Sequence, residues 1–468
     1  SDLSVYRFDE ISYDNFMNGE DKLYGFNADA TWQLSGRTTG FLKAGAKFTS
    51  QERSSERFRT RYYYVGQDGK KASADDFVSA QFLNDDYAFE DPSYGIAPVL
   101  AWPDFSKVKK YYAANTNLFT LRGVDGDGIN DIIEDITALY AMGSIDLFNK
   151  RAAVTGGVRW EQTDLKAKGN RDNKWINTDY NGFYPNLALR WDITDHLVGR
   201  IAYGRTIGRQ NFSQLIPNAN ITYSDDQQEG SVTVNNIGLD PLDADTLDLS
   251  LEYYTESGGV FSVGFFNKEL QNYIRTIGRL VTQEDIDSYG LPSDTLGFDF
   301  TTQENAGDAT VNGVEFNISQ KLGFLPAWLG EVSVFGNGTF LDVEGNFGGD
   351  TTVSDLAGFV KDTWNYGVAV QKGGLLANLK FTHKGKELIG PYTSEGASAI
   401  GDVNHFNAKL DQLDFDLEYR FSRRYTVYFS ARNMLNNPQN RIYQSKSANL
   451  NLISQSEEYG VQFSLGVK

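Results

Sequence analysis

Cysteine is absent from the 468 residues, so no disulfide framework, thiolate metal site or cysteine nucleophile is available. Histidine is almost as scarce. His196, His383 and His405 are the whole supply, too few for a histidine-built metal centre, although one would serve a triad. Proline is sparse, 10 residues against 46 glycines. Positive charge is in deficit: 43 Lys and Arg against 62 Asp and Glu leave a formal net charge of −19. Nucleic acid is therefore excluded as a partner, because phosphate binding needs a positive surface. No run approaches the length of apolar residues that a membrane helix requires. The chain begins at Ser1 with no basic, apolar leader, and the expectation is that a leader was cleaved or that the chain is a fragment. Nucleophile elbow, phosphate-cradling loop and zinc-binding helix motif are all missing, which points away from an enzyme.

What the sequence has in quantity is aromatic residues, 14% of the chain, and period-two alternation. In 413–421, Leu413, Phe415, Leu417, Tyr419 and Phe421 alternate with Asp414, Asp416, Glu418 and Arg420. Successive strand side chains point to opposite faces, so one face is apolar and the other densely charged. The segments around Tyr24–Leu34, Leu247–Tyr253, Trp364–Val370 and Tyr459–Val467 repeat the pattern. Alternation alone fits either a soluble sandwich or a membrane barrel. Connection lengths separate them. About sixteen candidate strands, the first at 3–11, 24–34 and 40–64, are joined alternately by short turns and long loops. The long loops cover about 65–133, 168–179, 207–245, 278–308, 343–360, 391–405 and 437–456. The expected fold is all-β: a transmembrane antiparallel β-barrel with short periplasmic turns, long extracellular loops and both termini on the short-turn side. Tyrosines and tryptophans near strand ends would form interfacial girdles.

Four ordered passages carry a resemblance: EDITALYAMGSIDL with GGVRWEQTDLKAKG, AYGRTIGRQNFSQLIP, LDADTLDLSLEYYTESGGVFSVGFFNKELQNYI, and FSARNMLNNPQNRIY. They resemble the C-terminal barrel of TonB-dependent outer-membrane receptors, closest to the Caulobacter- and Xanthomonas-type branch. Glu134, Tyr140, Arg159, Trp160 and Glu161 stand at motif positions, as do Asp248, Glu252 and Tyr253. Gln210 replaces the proline usual after arginine in the second passage, and Asn267 is inserted between Phe266 and Lys268. The resemblance implies a 22-stranded barrel preceded by a plug and a TonB box. Residues 1–468 would then be the barrel domain without its plug and first strands.

Chemistry-bearing candidates fall into three groups. Asp125, Asp127 and Asp131 lie around Gly128 at a spacing that partly fits a Ca²⁺ loop; the alternative is a solvated acidic loop tip. Arg159, Glu161, Asp248, Glu252, Asp414, Asp416 and Glu418 are expected to face the lumen, lining a substrate path or contacting a plug, or simply wetting the interior. Tyr87, Phe89, Tyr94, Trp102, Phe105 and Tyr223 place rings on outer loops, where they could stack on sugars or form a loop's own small core. The resemblance implies active uptake of a scarce solute, an oligosaccharide or a metal chelate, with the TonB–ExbB–ExbD complex supplying energy. A passive porin and the anchor of a structural or adhesive surface protein are the rival readings.

Overall fold

The computed structural model describes residues 7–36, 39–71, 73–76, 78–82, 104–169, 174–223, 230–305, 307–346, 352–353, 356–391 and 402–468. At 13–16, 74, 80, 122–129, 346, 352–353 and 391 it describes the backbone alone. Sixteen strands share one sheet, and all but Thr352–Val353 follow one another in chain order. That wall runs through Glu10–Leu34, Gly40–Tyr64, Phe119–Leu147, Ala152–Lys168, Ile176–Asp192, Leu197–Gly208, Leu242–Tyr254 and Val260–Gln271. It continues through Asp308–Lys321, Glu331–Asn346, Asp362–Lys372, Leu375–Lys384, Leu410–Arg420, Thr426–Arg432 and Gln462–Val467. Every neighbouring pair in the wall is antiparallel, the up-and-down order of an outer-membrane barrel.

The apolar rows decide which medium the wall faces. Trp32, Phe183, Leu187, Leu249, Phe265, Phe463 and Leu465 all lie open on the outside, with Trp32 74% and Leu465 75% exposed. In water each such side chain forgoes about 1.5–3 kcal/mol of burial, and a continuous band of them would drive aggregation. In hydrocarbon nothing is forgone. No helix among the described residues is long and apolar enough to cross a membrane.

Local chemistry sets where strands stop. Gly373 at φ 58° turns a two-residue hairpin between Lys372 and Leu375, a left-handed conformation that costs glycine nothing. Pro185 sits where the Ile176–Asp192 strand ceases to pair with Leu197–Gly208; their ladder begins at Asn186↔Gly204, and proline has no N–H to extend it. The expected strand 259–277 breaks at Asn272, whose φ of 60° diverts the chain out of the wall.

Two expectations need correction at the N-terminal edge. Of the expected strand 3–11, residues 3–6 lie outside the described residues and only Glu10 and Ile11 are in a strand, which they share with 24–34: Glu10–Leu34 pairs with Gly40–Tyr64 along its length, with one register shift between Asp14 and Phe16. Glu10 therefore pairs with Tyr63 beside the Tyr64↔Phe119 rung, on the long-loop rim, and the two ends of the wall lie on opposite rims. Strands of 25 and 29 residues also overshoot a bilayer, which needs about 9–11. Their upper halves stand outside it.

The long loops are folded. Ala219–Tyr223, Gly230–Val234, Ile274–Leu280 and Asp299–Asn305 form a four-stranded sheet over a core of Val232, Val234, Val281, Ile286, Phe298 and Phe300. A second loop sheet joins Glu387–Pro391, Asn404–Asn407, Gln439–Ser445 and Leu450–Glu457. The main interior clusters are small and lie where loops fold back onto the wall: Ile132, Leu165, Leu215 and Leu239 in one, Leu270, Val311, Val343 and Leu356 in another.

Candidate functional site

The row opposite the apolar one carries ion pairs between neighbouring strands. The densest group forms where the Leu197–Gly208 strand ends. Arg209 reaches back to the Glu161 carboxylate, and its Nε lies 3.9 Å from Glu134. Arg159 donates from Nε to the other oxygen of Glu161 at 2.5 Å. Glu134 and Glu161 are nearly buried, and the Arg209 and Arg159 guanidinium groups stand where water would otherwise meet them. Tyr180 and Tyr184 stand on the adjoining strand, Tyr184 directly across from Arg159.

Farther round the wall, Arg200 takes Glu252 with Nε at 2.9 Å and Nη2 at 3.3 Å, and Tyr254 donates to the same carboxylate at 2.7 Å. Asp414 and Asp416 share Arg432, at 3.3 Å each, and Glu418 accepts from Lys468 at 2.7 Å. Asp248 lies opposite Ala202 and Phe266, with no charged residue across from it. The expected lumen residues thus form separate clusters spread around the wall. Arg159 and Glu161 share one group and Asp414 and Asp416 another, and Arg209, Glu134, Tyr180 and Tyr184 were not among the expected candidates.

Gln210, where a proline is usual in the resembling receptors, is buried and donates its side-chain amide to the Leu239 carbonyl. The loop 209–216 is thereby tied down. Asn211 and Gln214 close a capping box on the short helix Phe212–Leu215, and Leu215 drops into the interior cluster.

The acidic segment at 125–131 belongs to the strand Phe119–Leu147, with bulges opposite Arg57–Arg59 and Arg61–Tyr62. Two-residue steps along a strand set positions about 7 Å apart. Asp131 is engaged by Lys168 at 2.8 Å and Ser54 at 2.6 Å. The side chains of Asp125 and Asp127 lie outside the described residues. Among the described residues, no three His, Cys, Asp or Glu gather closely enough to hold a metal ion.

Of the loop rings, Tyr87, Phe89, Tyr94 and Trp102 lie outside the described residues. Phe105 opens the helix Phe105–Ala114 and is exposed. Tyr223 packs edge-on against Phe298 at 5.5 Å, at the border of the first loop sheet's core. An aromatic group that the sequence reading passed over joins Phe8, Tyr64, Phe82, Tyr111, Tyr112 and Phe119 at the top of the tallest strands. Its signals were the runs YYY at 62–64 and KKYY at 109–112.

The first loop sheet is locked by a charge pair. Arg279 binds Asp285 through both terminal nitrogens, Nη2 to Oδ1 at 2.6 Å, and lies 4.3 Å from the centre of the Phe300 ring. The guanidinium, with the Thr282 hydroxyl and N–H, holds the Asp285 carboxyl well below the usual carboxylate range. In the second loop sheet, Ser445 and Ser447 hydroxyls and the amides of Lys446 and Ser447 lower Asp402 to about 2.

A family model described as TonB dependent receptor-like, beta-barrel matches residues 2–434. The chain belongs to this family. Its members are bacterial outer-membrane proteins. Among solved structures, the unliganded ferric citrate transporter FecA is similar at 15% identity and a TM-score of 0.60, over 98% of this chain and 55% of that one. The copper transporter OprC matches at 12% identity and 0.58, over 96% and 56%. The ferric-catecholate import receptor Fiu of E. coli K12 in its closed form matches at 12% and 0.55, over 96% and 54%. At these identities the likeness establishes the fold. The chain spans about half the length of these structures. A comparison with curated proteins gave no match.

Proposed function

We propose that this receptor barrel takes up a scarce solute across the outer membrane, driven by the TonB–ExbB–ExbD complex, and catalyses no reaction. The observation that carries the proposal is the pairing of a charge-lined wall with two ordered sheets in its outer loops. A passive pore gains nothing from folded loop sheets, whereas a receptor needs a preformed surface for a dilute ligand. The transported class is a metal chelate or an oligosaccharide. The similar structures named as ferric citrate, copper and ferric-catecholate transporters favour the chelate. Exposed rings such as Phe105 suit a sugar. Calcium on Asp125, Asp127 and Asp131 belongs to this proposal as a stabiliser of the outer region, and titration of the purified protein with Ca²⁺ tests it.

The deciding experiment is uptake of labelled chelates and oligosaccharides by cells with and without TonB, and with a protonophore. Uptake that needs both TonB and the proton gradient supports the reading. Uptake of small solutes that ignores both, with large single-channel conductance, would establish a porin instead.

A further inference from the structure

The interior row of the wall is not charged everywhere. Ser262, Asn317, Asn337, Asn365, Thr382 and Gln412 come from neighbouring strands and pair in one unbroken register. Their chain neighbours Val263, Phe316 and Tyr366 stand exposed on the apolar row, so these side chains point the other way, into the interior. Each is a hydroxyl or an amide. Strands lie about 4.8 Å apart, so the five steps between them make a lane roughly 24 Å long. Barrel strands tilt by about 35–45°, and a row at right angles to tilted strands is a ramp, not a ring.

The lane keeps donors and acceptors to offer. Asn365 donates from Nδ2 to Asn337 Oδ1 at 2.6 Å, which leaves each amide with further capacity. Among the described residues, the Ser262, Asn317 and Thr382 side chains have no hydrogen-bond partner. Charges on the borders are engaged: Asp414 pairs with Arg432 at 3.3 Å, and Glu315 accepts from Thr339 at 3.4 Å. Lys380 stands across from Asp414. Two rings flank the lane. Phe335, two residues along the strand from Asn337, lies over Gly367, and Phe266, four residues along from Ser262, lies over Gly313. A Cβ at Gly313 would fall within 2.7 Å of three Phe266 ring atoms, and one at Gly367 within 2.9 Å of two Phe335 ring atoms. Glycine on the next strand lets each ring lie down and turn its other face to the interior.

We infer that this lane carries a neutral, polyhydroxylated chain: its hydroxyls exchange water for the amides and hydroxyls of the row, and its C–H faces pass over Phe335 and Phe266. A compact, charged chelate would meet no opposite charge along the row, and shedding its water there would cost more than the neutral groups return. The inference rests on the uptake reading and narrows its solute to a neutral oligosaccharide.

The test offers cells producing the protein labelled neutral oligomers of glucose, xylose and mannose, an oligogalacturonate, and ferric citrate, with and without TonB. A neutral oligomer is expected to enter in a TonB-dependent way. Asn337→Ala combined with Asn365→Ala should slow that entry roughly tenfold, the loss of two neutral hydrogen bonds. Asn337→Gln with Asn365→Gln keeps the amides and should restore much of it. Phe335→Leu, which stays apolar but lacks the flat face, should slow entry roughly threefold and serves if the alanine pair fails to fold. Neutral-oligomer entry that the folded variants leave unchanged overturns the lane. Equal slowing of every probe also overturns it, since the row would then act through the fold. TonB-dependent entry of oligogalacturonate or ferric citrate alone overturns the neutral solute and leaves active uptake standing. Entry of every probe without TonB overturns the uptake reading itself, a separate failure.

Discussion

Arg209 and Glu161 meet across two strands that are not neighbours in the sheet, the guanidinium arriving from the chain just beyond the Leu197–Gly208 strand. Removing the cation leaves Glu161 and Glu134 close together and poorly hydrated. Arg209→Ala is expected to lower stability by roughly 2–4 kcal/mol, the cost of stranding a half-buried charge. Adding Glu161→Gln should return part of it. Thermal unfolding of the four proteins in a double-mutant cycle measures the coupling, and strictly additive losses would show that the pair is not coupled.

Gln210 is the one departure from the family pattern for which the structure supplies a reason. Its amide satisfies the Leu239 carbonyl, so Gln210→Pro removes a buried bond and is expected to cost about 1–3 kcal/mol locally. Hydrogen exchange should quicken around 235–242 while the wall strands stay protected. Unchanged exchange there would mean the latch is dispensable.

In the first loop sheet, Arg279→Ala leaves the Asp285 carboxylate with only the Thr282 groups. Since Arg279 is partly exposed, the expected loss is about 2 kcal/mol, enough to open the small core at 281–300. Limited proteolysis should cut within 281–298 at enzyme levels that spare the parent protein. Equal resistance would argue that the apolar core alone holds the sheet.

Asp402 supplies a pH dependence with a definite sign. Its folded value of about 2 lies below the unfolded carboxylate value of about 3.9. A depressed value means stabilisation that is fully present above the unfolded value and is lost as pH falls through the folded one. Exchange protection of the Lys446 and Ser447 amides should therefore hold at neutral pH and fade between about pH 4 and pH 2. Asp402→Asn should remove that dependence, and a variant that still loses protection over the same range would place the titration elsewhere.

The wall was legible because membrane strands obey a two-residue rule that survives in any register. The rows through Leu413–Phe421 and Leu247–Tyr253 show it without help from structure. The loop sheets obey the same rule, so 274–277 read as an extension of the preceding strand. Only the left-handed Asn272 separates them, and asparagine tolerates that conformation without demanding it. The polar run NGEDK at 18–22 lies between the expected strands 3–11 and 24–34, yet a strand standing above a bilayer is polar on both faces. The Arg209 group was illegible for another reason. Its members come from strands far apart in the chain, and no local pattern marks which charged residue will fold back to meet them.

Asp248 and Leu249 are adjacent in sequence and opposite in surroundings, which lets one strand test the whole wall. Leu249 lies on the apolar row between Ile201 and Phe265, near the middle of the crossing. An arginine there must bring its charge into hydrocarbon. Leu249→Arg is expected to destabilise the barrel by about 2–4 kcal/mol when it is folded into vesicles. Asp248→Arg points into the wet interior, opposite Ala202 and Phe266, and should cost less than about 1 kcal/mol. Reversible unfolding in urea with lipid vesicles measures both. If the two substitutions cost the same, the rows do not face different media, because only a hydrocarbon boundary on one side can separate neighbours on a single strand.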